Sequence, residues 1–217
     1  MSKNIRIVPA ILANDANTLA KLVRQAETFT NFAQMDIMDG QFVPSSSISY
    51  RDIAVLKPKF NWEAHLMVQH PENYLENFKQ AGAQKIVFHY EATPSPEKII
   101  RSIRKLGMQA GLAINPETLI KAIKSLVKHV DSVLFLSVNP GFYGAEFIPE
   151  VLDKIVEFRK VYPEMETGID GGIKESNIAQ IARSGVDIIC VGSAIFRQPD
   201  PAASYRRLIE LATAATA

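Results

Sequence analysis

Two carboxylates and one imidazole occur where apolar runs of the sequence end. Asp36, His65 and Asp170 each lie within or at the end of a short apolar run, and such runs are typical of buried strands. Buried groups of this kind need a common partner that offsets their desolvation, and a bound cation is the simplest one. The residue types therefore predict a metal site.

The neighbours of these three residues have to be weighed against ordinary packing. Gln34 lies two residues before Asp36, so both side chains point to the same side of an extended strand. A single inward His is often only a hydrogen-bonded core group, and a single Asp often caps the next helix. Met38 and Met67 are more often packing residues. Convergence of several polar groups favours the functional interpretation.

Three glycine-bearing loops predict a second feature, a phosphate site. They are NPGFYGAEFIPE (139–150), DGGIKES (170–176) and VGSAIF (191–196). Glycines beside helix N-termini expose backbone N–H groups that can hold an anion, although ordinary turn glycines are the alternative. Together the two features predict a small phosphorylated ligand whose reactive end lies near the carboxylates.

The elements that must position these residues alternate regularly along the chain, short apolar runs with longer segments of helical period. The predicted strands are 5–12, 32–38, 62–68, 85–90, 109–114, 132–138, 165–170 and 187–192. The predicted helical segments are 15–29, 71–82, 95–107, 116–129, 148–160 and 174–185. The segment after the second strand, SISYRDIAVLKP, is a weaker helix prediction.

Eight strand-then-helix units in 217 residues, without a linker, predict one (β/α)8 TIM barrel over residues 1–217. A doubly wound open sheet is the alternative. It is disfavoured because the first strand–helix turn, PAILANDAN, has no G-x-G-x-x-G fingerprint. In a barrel the active site lies at the C-terminal ends of the strands, where the polar residues above would converge.

Composition excludes several classes of function. The formal net charge is +1 with 22% charged and 47% hydrophobic residues, so there is no electrostatic case for nucleic acid or a membrane surface. The single cysteine, Cys190, excludes an internal disulfide and is expected to be a buried structural thiol. No apolar run is long enough for a spanning helix, and the N-terminus does not resemble a signal peptide. These features predict a cytoplasmic protein.

Several blocks of the sequence resemble the ribulose-phosphate 3-epimerase family. They are PAILANDANTL, MDIMDGQFVP, HLMVQHPENY, NPETLIKAI, SVNPGFYGAEFIPEVLDKI, GIDGGIKESNI and VGSAIF, in family order between about residues 5 and 210. The resemblance implies a barrel of the ribulose-phosphate-binding type in carbohydrate metabolism. It implies an isomerase that interconverts D-ribulose 5-phosphate and D-xylulose 5-phosphate of the pentose phosphates, by deprotonation and reprotonation at C3 through a cis-enediolate. It leaves open an assembly of identical subunits.

The resemblance also implies roles for individual residues. In the family two His and two Asp hold one divalent ion, whose identity here could be Zn, Mn, Fe, Co or Mg, and the Asp pair moves the protons. The catalytic pair would be Asp36 and Asp170, and the metal ligands Asp36, His65, Asp170 and, in place of the first His, Gln34. The sugar would contact Ala10, Met38, Met67, Ser137 and Asn139, and the phosphate Gly141, Phe142, Tyr143, Gly144, Gly171, Gly172, Gly192 and Ser193.

The sequence departs from the family pattern around this pocket. Gln34 replaces a His ligand, Ala10 a usual Ser, Ser45 a usual Asn, and Tyr143 and Ala145 change the usual GFGGQ to GFYGA. The amide oxygen of Gln34 is a weaker donor than imidazole, which would lower affinity for zinc or cobalt and favour manganese or magnesium relatively.

Three hypotheses of function follow. The first is the 3-epimerase, acting on ribulose 5-phosphate or on a related ketose phosphate such as a hexulose 6-phosphate. The second is a phosphate-binding decarboxylase with an Asp-x-Lys-x-x-Asp array, but Met38 stands where the lysine should be. The third is a metal-free, non-catalytic sugar-phosphate binder, favoured by Gln34 and opposed by the intact Asp36 and Asp170. His89, at the end of the fourth strand, is an alternative nitrogen ligand.

Overall fold

Eight parallel strands close into a barrel in which each strand pairs with the next and the last pairs with the first. The computed structural model describes residues 5–141 and 145–216. The strands are β1 Arg6–Ile11, β2 Phe32–Met38, β3 Asn61–Met67, β4 Lys85–His89, β5 Gln109–Ile114, β6 Ser132–Leu136, β7 Glu166–Asp170 and β8 Ile188–Val191. The predicted TIM barrel is confirmed.

Helices follow the strands and cover the barrel. They are α1 Ala16–Ala26, α2 Tyr50–Leu56, α3 Leu75–Gln80, α4 Pro96–Lys105, α5 Ile120–Ile123, α6 Glu150–Val161, α7 Glu175–Arg183, α8 Ser193–Phe196 and α9 Pro201–Ala214, with 3-10 turns at Pro71–Asn73, Tyr90–Ala92 and Val127–His129. Asp15 and Asp200 cap α1 and α9 by accepting backbone N–H groups. Within the described ranges, no helix combines the length and apolarity needed to cross a bilayer.

The predicted strands agree closely with the observed ones, whereas the helices predicted over 71–82 and 116–129 each form as a 3-10 turn and a shorter helix. The bounds of β2 and β5 are those predicted, and the other strand ends differ by two residues at most. The weakly predicted helix after β2 forms as α2. The single helix expected over 116–129 is instead α5 followed by a 3-10 turn, because Leu126 N–H bonds to the carbonyl three residues back and tightens the chain. Ile123, Leu126 and Val127 are all buried by this break.

The strand register decides which side chains face the barrel interior. Asp36 on β2 lies directly beside His65 on β3, and Asp170 on β7 lies beside Cys190 on β8. An apolar cluster that includes Val87 and Leu134 fills the interior. This apolar layer separates two polar clusters, one at each end of the barrel.

The polar cluster at the N-terminal end of the strands, here called the floor cluster, consists of Arg6, Glu63, Lys85 and Glu166. Lys85 Nζ lies 3.0 Å from Glu63 Oε2 and 3.5 Å from Glu166 Oε1, and Arg6 pairs with Glu166. Burial lowers the pKa of the Lys85 ammonium, but the carboxylates of Glu63 and Glu166 outweigh burial and raise it above its ordinary value. Each charge of the floor cluster therefore has an opposite charge beside it.

Candidate active site

The polar cluster at the C-terminal end of the strands, here called the mouth cluster, consists of Gln34, Asp36, His65 and Asp170. Gln34 and His65 have no exposed surface, and the side chains of Asp36 and Asp170 are 10% and 14% exposed. His65 Nδ1 lies 3.0 Å from Asp36 Oδ1 and 3.4 Å from Asp170 Oδ2. The structure thus brings together the four residues that the sequence predicts for the metal site.

The Gln34 amide lies between the two carboxylates. Its Nε2 donates hydrogen bonds to Asp36 Oδ1 at 2.9 Å and to Asp170 Oδ2 at 2.7 Å. Its Oε1 accepts a hydrogen bond from the Cys190 thiol at 3.2 Å. This orientation follows from charge, because an amide oxygen would be repelled by two carboxylates whereas an NH2 group satisfies both.

Burial and charge perturb the titration of the mouth cluster. Burial raises the pKa of Asp36 to about 6, an effect reinforced by the Asp170 charge and opposed by hydrogen bonding to His65. Burial alone would lower the pKa of His65, but hydrogen bonds to Asp170 and Asp36 outweigh it and raise it to about 10. In the metal-free protein at neutral pH, His65 is therefore an imidazolium between two carboxyl groups.

Asp36, His65 and Asp170 fit a divalent cation. Their nearest ligand atoms all lie within 4.8 Å of one another. A cation with ligands at about 2.0–2.2 Å separates adjacent ligand atoms by about 3.0–3.5 Å, which matches the 3.0 and 3.4 Å between His65 Nδ1 and the two carboxylates. These three residues form a group that could hold a divalent metal ion.

Gln34 does not offer its oxygen to that group. The atom that faces the carboxylates is the amide nitrogen, which has no lone pair for a cation. Coordination by Gln34 requires the amide to turn and to give up its hydrogen bonds to Asp36, Asp170 and Cys190. Its role as a fourth ligand stays a prediction.

A cavity of about 350 Å³ opens above the mouth cluster, a size suited to a small ligand. Predicted sugar-binding residues that line it are Ala10, Met38 and Met67. Ser137 does not line it, because its buried hydroxyl donates to the backbone carbonyls of Asp170 and Gly171 and so fixes the turn after β7. Asn139 is exposed and lies outside its lining.

The predicted phosphate side lies on the same cavity. Among the described residues, Gly141, Gly171, Gly172, Gly192 and Ser193 line it, while Phe142, Tyr143 and Gly144 lie outside the described part of the chain. Gly171 and Gly172 have φ values of +109° and +66°, a region that favours glycine. A β-carbon added at Gly171 would lie only 2.5 Å from Cγ2 of Val138 and would collide with it. The turn after β7 is therefore built for glycine.

Two of the sequence departures also reach the cavity. Ala10 and Ala145 line it, and both have small side chains that widen it. Ser45 does not line it and instead donates a hydrogen bond to the Gly141 carbonyl. Ser45 thus joins the loop after β2 to the loop after β6.

Among the cavity-lining residues that the sequence did not predict, Cys190 and Arg197 carry titratable groups. Cys190 is buried, as predicted, and burial raises the pKa of its thiol well above the ordinary value, with the Asp170 charge adding to the effect. The strand alternation of DIICVG could have placed Cys190 on the inward side, opposite Gln34. Arg197 follows α8 and brings a positive charge to the cavity rim, and no motif in the sequence singles it out.

Comparison with known proteins points to one family. A sequence model of the ribulose-phosphate 3 epimerase family matches residues 6–196. A ribulose-phosphate 3-epimerase from Synechocystis sp. is 37% identical over 209 residues, covering 92% of this chain and 91% of the relative. One from Mycobacterium bovis is 37% identical over 218 residues, covering 97% of this chain and 94% of the relative.

Comparison with solved structures supports the fold. The 3-hexulose-6-phosphate synthase from Salmonella typhimurium superimposes with a TM-score of 0.73 at 16% sequence identity. The alignment covers 95% of this chain and 98% of that one. At this identity the likeness shows a shared TIM-barrel fold and nothing more.

Proposed function

The chain belongs to the ribulose-phosphate 3-epimerase family, and we propose that it interconverts D-ribulose 5-phosphate and D-xylulose 5-phosphate by moving the proton at C3. The observation that carries the proposal is the pair of carboxyl groups, Asp36 and Asp170, that meet at His65 under one open cavity. They come from β2 and β7, which are not neighbours in the barrel. They can therefore approach a bound sugar from different sides.

Inversion at C3 needs a base on one face of the sugar and an acid on the other. The C3 proton is acidic only because a C2 ketone lies beside it, and its loss gives a cis-enediolate. Burial raises the pKa of Asp36 to about 6 in the metal-free protein, and a cation bound beside this carboxyl group would lower that pKa again. One carboxyl would be ionised and the other protonated at any moment, and their roles would exchange with the direction of the reaction.

The cation would be held by Asp36, His65 and Asp170. When bound, a divalent ion supplies Lewis-acid stabilisation of the negative charge that develops on the sugar oxygens. His65 must release its Nδ1 proton to become a ligand. Gln34 stabilises the negative charge of the two aspartates, because its NH2 group donates hydrogen bonds to both carboxylates.

The phosphate would bind at the opposite side of the cavity. The Gly171–Gly172 turn and the start of α8 at Ser193 supply backbone N–H groups, which favour an anion. Arg197 on the rim adds a positive charge. This arrangement supports a ketose phosphate whose C2 and C3 lie over the mouth cluster.

A metal-free sugar-phosphate binder is the second candidate, and one observation favours it. Gln34 Nε2 already satisfies the two carboxylates that a cation would bind. The Asp-x-Lys-x-x-Asp decarboxylase is not favoured, because Met38 lines the cavity where the lysine should be. Assembly of identical subunits and a cytoplasmic location stay predictions.

Metal analysis of the purified protein, combined with a C3 proton-exchange assay on a panel of ketose phosphates, tests the proposal. We expect bound or readily restored divalent metal and exchange with D-ribulose 5-phosphate. Exchange only with a hexulose 6-phosphate would identify an epimerase of different substrate. Tight sugar-phosphate binding without metal or exchange would make the binder the correct function.

A further inference from the structure

A second histidine lies directly behind His65, on the side away from the cavity. His65 Nε2 lies 3.0 Å from His89 Nε2, and both side chains are fully buried. The two rings are nearly parallel, with an interplanar angle of 19° and centroids 5.1 Å apart. The Phe42 ring packs against His89, with centroids 4.9 Å apart. Packing therefore holds the pair of imidazoles in one arrangement.

The 3.0 Å contact decides which ring nitrogens carry protons. One of the two Nε2 atoms must donate and the other must accept. His65 Nδ1 faces the two carboxylates, and a cation held there would take the lone pair of Nδ1. A neutral imidazole that uses Nδ1 as a ligand carries its proton on Nε2. His65 is then the donor, and His89 must accept at Nε2 and carry its own proton on Nδ1.

The proton on His89 Nδ1 points toward the carboxylate of Glu91, whose side chain is 21% exposed but whose Oε2 atom is buried. His89 Nδ1 lies 3.5 Å from Glu91 Oε2, at the long limit of a hydrogen bond. Among the described residues neither of these two buried atoms has a hydrogen-bond partner of ordinary geometry. A donor on Nδ1 would satisfy both, whereas the opposite tautomer would place a lone pair against a carboxylate.

Glu91 is itself held in place through its other oxygen. Glu91 Oε1 accepts hydrogen bonds from the Asn115 backbone N–H at 2.9 Å and from the Thr118 hydroxyl. These contacts tie the 3-10 turn after β4 to the loop after β5. The carboxylate therefore has a fixed position toward His89.

We propose that Glu91 and His89 are positioning residues that act through His65, by fixing its Nε2 as a donor and directing its Nδ1 lone pair at the cation site. The order of groups is Glu91, His89, His65 and then the cation. A buried carboxylate at the far end makes His65 a stronger ligand, as outer partners of metal-bound histidines generally do. This inference rests on the proposed function only in assigning His65 as a ligand.

The chain contains a matched control pair. His70 and Glu72 have the same spacing as His89 and Glu91, and His70 Nδ1 lies 3.4 Å from Glu72 Oε1. Their side chains are 59% and 46% exposed, and they do not line the cavity. A Glu72→Gln change removes the same chemical group without touching the mouth cluster.

The test uses the full chain labelled with ¹⁵N-histidine and titrated with Mn²⁺. Nitrogen NMR of the metal-free wild type should show His89 protonated on Nδ1 and not on Nε2, and replacement of each of the four histidines in turn assigns the signals. Glu91→Gln should lower Mn²⁺ affinity by about tenfold, measured well below the melting temperature. Glu72→Gln should leave Mn²⁺ affinity within about twofold of wild type, because an exposed ion pair outside the cavity contributes little.

Two results would overturn the inference. One is a wild-type His89 that carries its proton on Nε2. The other is equal Mn²⁺ affinity in Glu91→Gln and Glu72→Gln. Glu91 would then affect only the stability of the fold and not the cation site. If Glu91→Gln does not fold, or if no form binds Mn²⁺, the wild-type tautomer decides the question. A correct tautomer without C3 exchange would count against the proposed function and not against this arrangement.

Discussion

The described part of the barrel contains a polar cluster at each end, and the two clusters differ in charge balance. In the floor cluster, Arg6 and Lys85 face Glu63 and Glu166, so that two positive and two negative groups are paired. In the mouth cluster, two aspartates share a single histidine and a neutral amide. The floor encloses only a small space, whereas the mouth opens to a cavity of about 350 Å³. Unbalanced charge beside an open cavity supports a catalytic role for the mouth cluster, and balanced charge supports a structural role for the floor cluster.

The largest effect should follow from neutralising either aspartate of the mouth cluster. Asp36→Asn and Asp170→Asn should each lower C3 proton exchange by about a thousandfold, because each removes one of the two proton carriers. Sugar-phosphate binding should persist, since the phosphate contacts lie elsewhere in the cavity. Glu63→Gln in the floor cluster is the matched control and should retain exchange. Near-normal exchange in either aspartate variant would contradict the acid–base assignment.

Substitutions in the floor cluster should lower the free energy of unfolding and not the rate of C3 proton exchange. Lys85→Met leaves the buried Glu63 carboxylate without its partner and should cost about 3–5 kcal/mol of unfolding free energy. The double variant Lys85→Met, Glu63→Leu removes both charges and should recover most of that loss. Urea denaturation of the three proteins measures the effect. A double variant as unstable as the single one would show that the pair does more than balance charge.

Gln34→His should restore a nitrogen donor at the mouth. Because imidazole nitrogen is a better ligand than an amide, zinc or cobalt should bind about tenfold more tightly. Zinc and manganese titrations of both proteins measure the change. If activity on ribulose 5-phosphate rises as well, weak metal binding was limiting the activity.

If zinc affinity rises while activity on ribulose 5-phosphate stays low, the pocket has diverged to another sugar. Unchanged zinc affinity would mean that position 34 does not face the cation.

The smallest effect should come from the phosphate side. Gly192 has φ of −98°, outside the left-handed region, and the carbon added by alanine would lie 3.2 Å from the Ala10 carbonyl oxygen. Gly192→Ala should raise KM by about fivefold, equivalent to about 1 kcal/mol, with little change in kcat. Gly172 is a poorer site for this test, because its φ of +66° and its nearness to the Phe147 backbone would disturb the loop itself. An equal fall in kcat would place the contact in the transition state.

Sequence reasoning could predict the barrel because its signal is periodic. Apolar alternation and helix caps set the strands within two residues, and the spacing of Gln34 and Asp36 gave their shared direction. It could not predict the amide orientation of Gln34, which depends on Asp170 and Cys190 from distant strands. It could not predict the contact between His65 and His89 either, because that contact also depends on how different strands are placed in the barrel. The helix at 116–129 was wrong because tertiary burial of Ile123 and Val127 overrode local periodicity.

The most direct test of the central claim is deuterium incorporation at C3 of D-ribulose 5-phosphate in D2O with Mn²⁺, measured by proton NMR after the paramagnetic metal has been removed with a chelator. We expect loss of the C3 proton signal together with appearance of D-xylulose 5-phosphate in the wild type and in Glu63→Gln, and neither change in Asp36→Asn over the same time course. Retention of the C3 proton by the metal-loaded wild type, with the sugar phosphate bound, would contradict it.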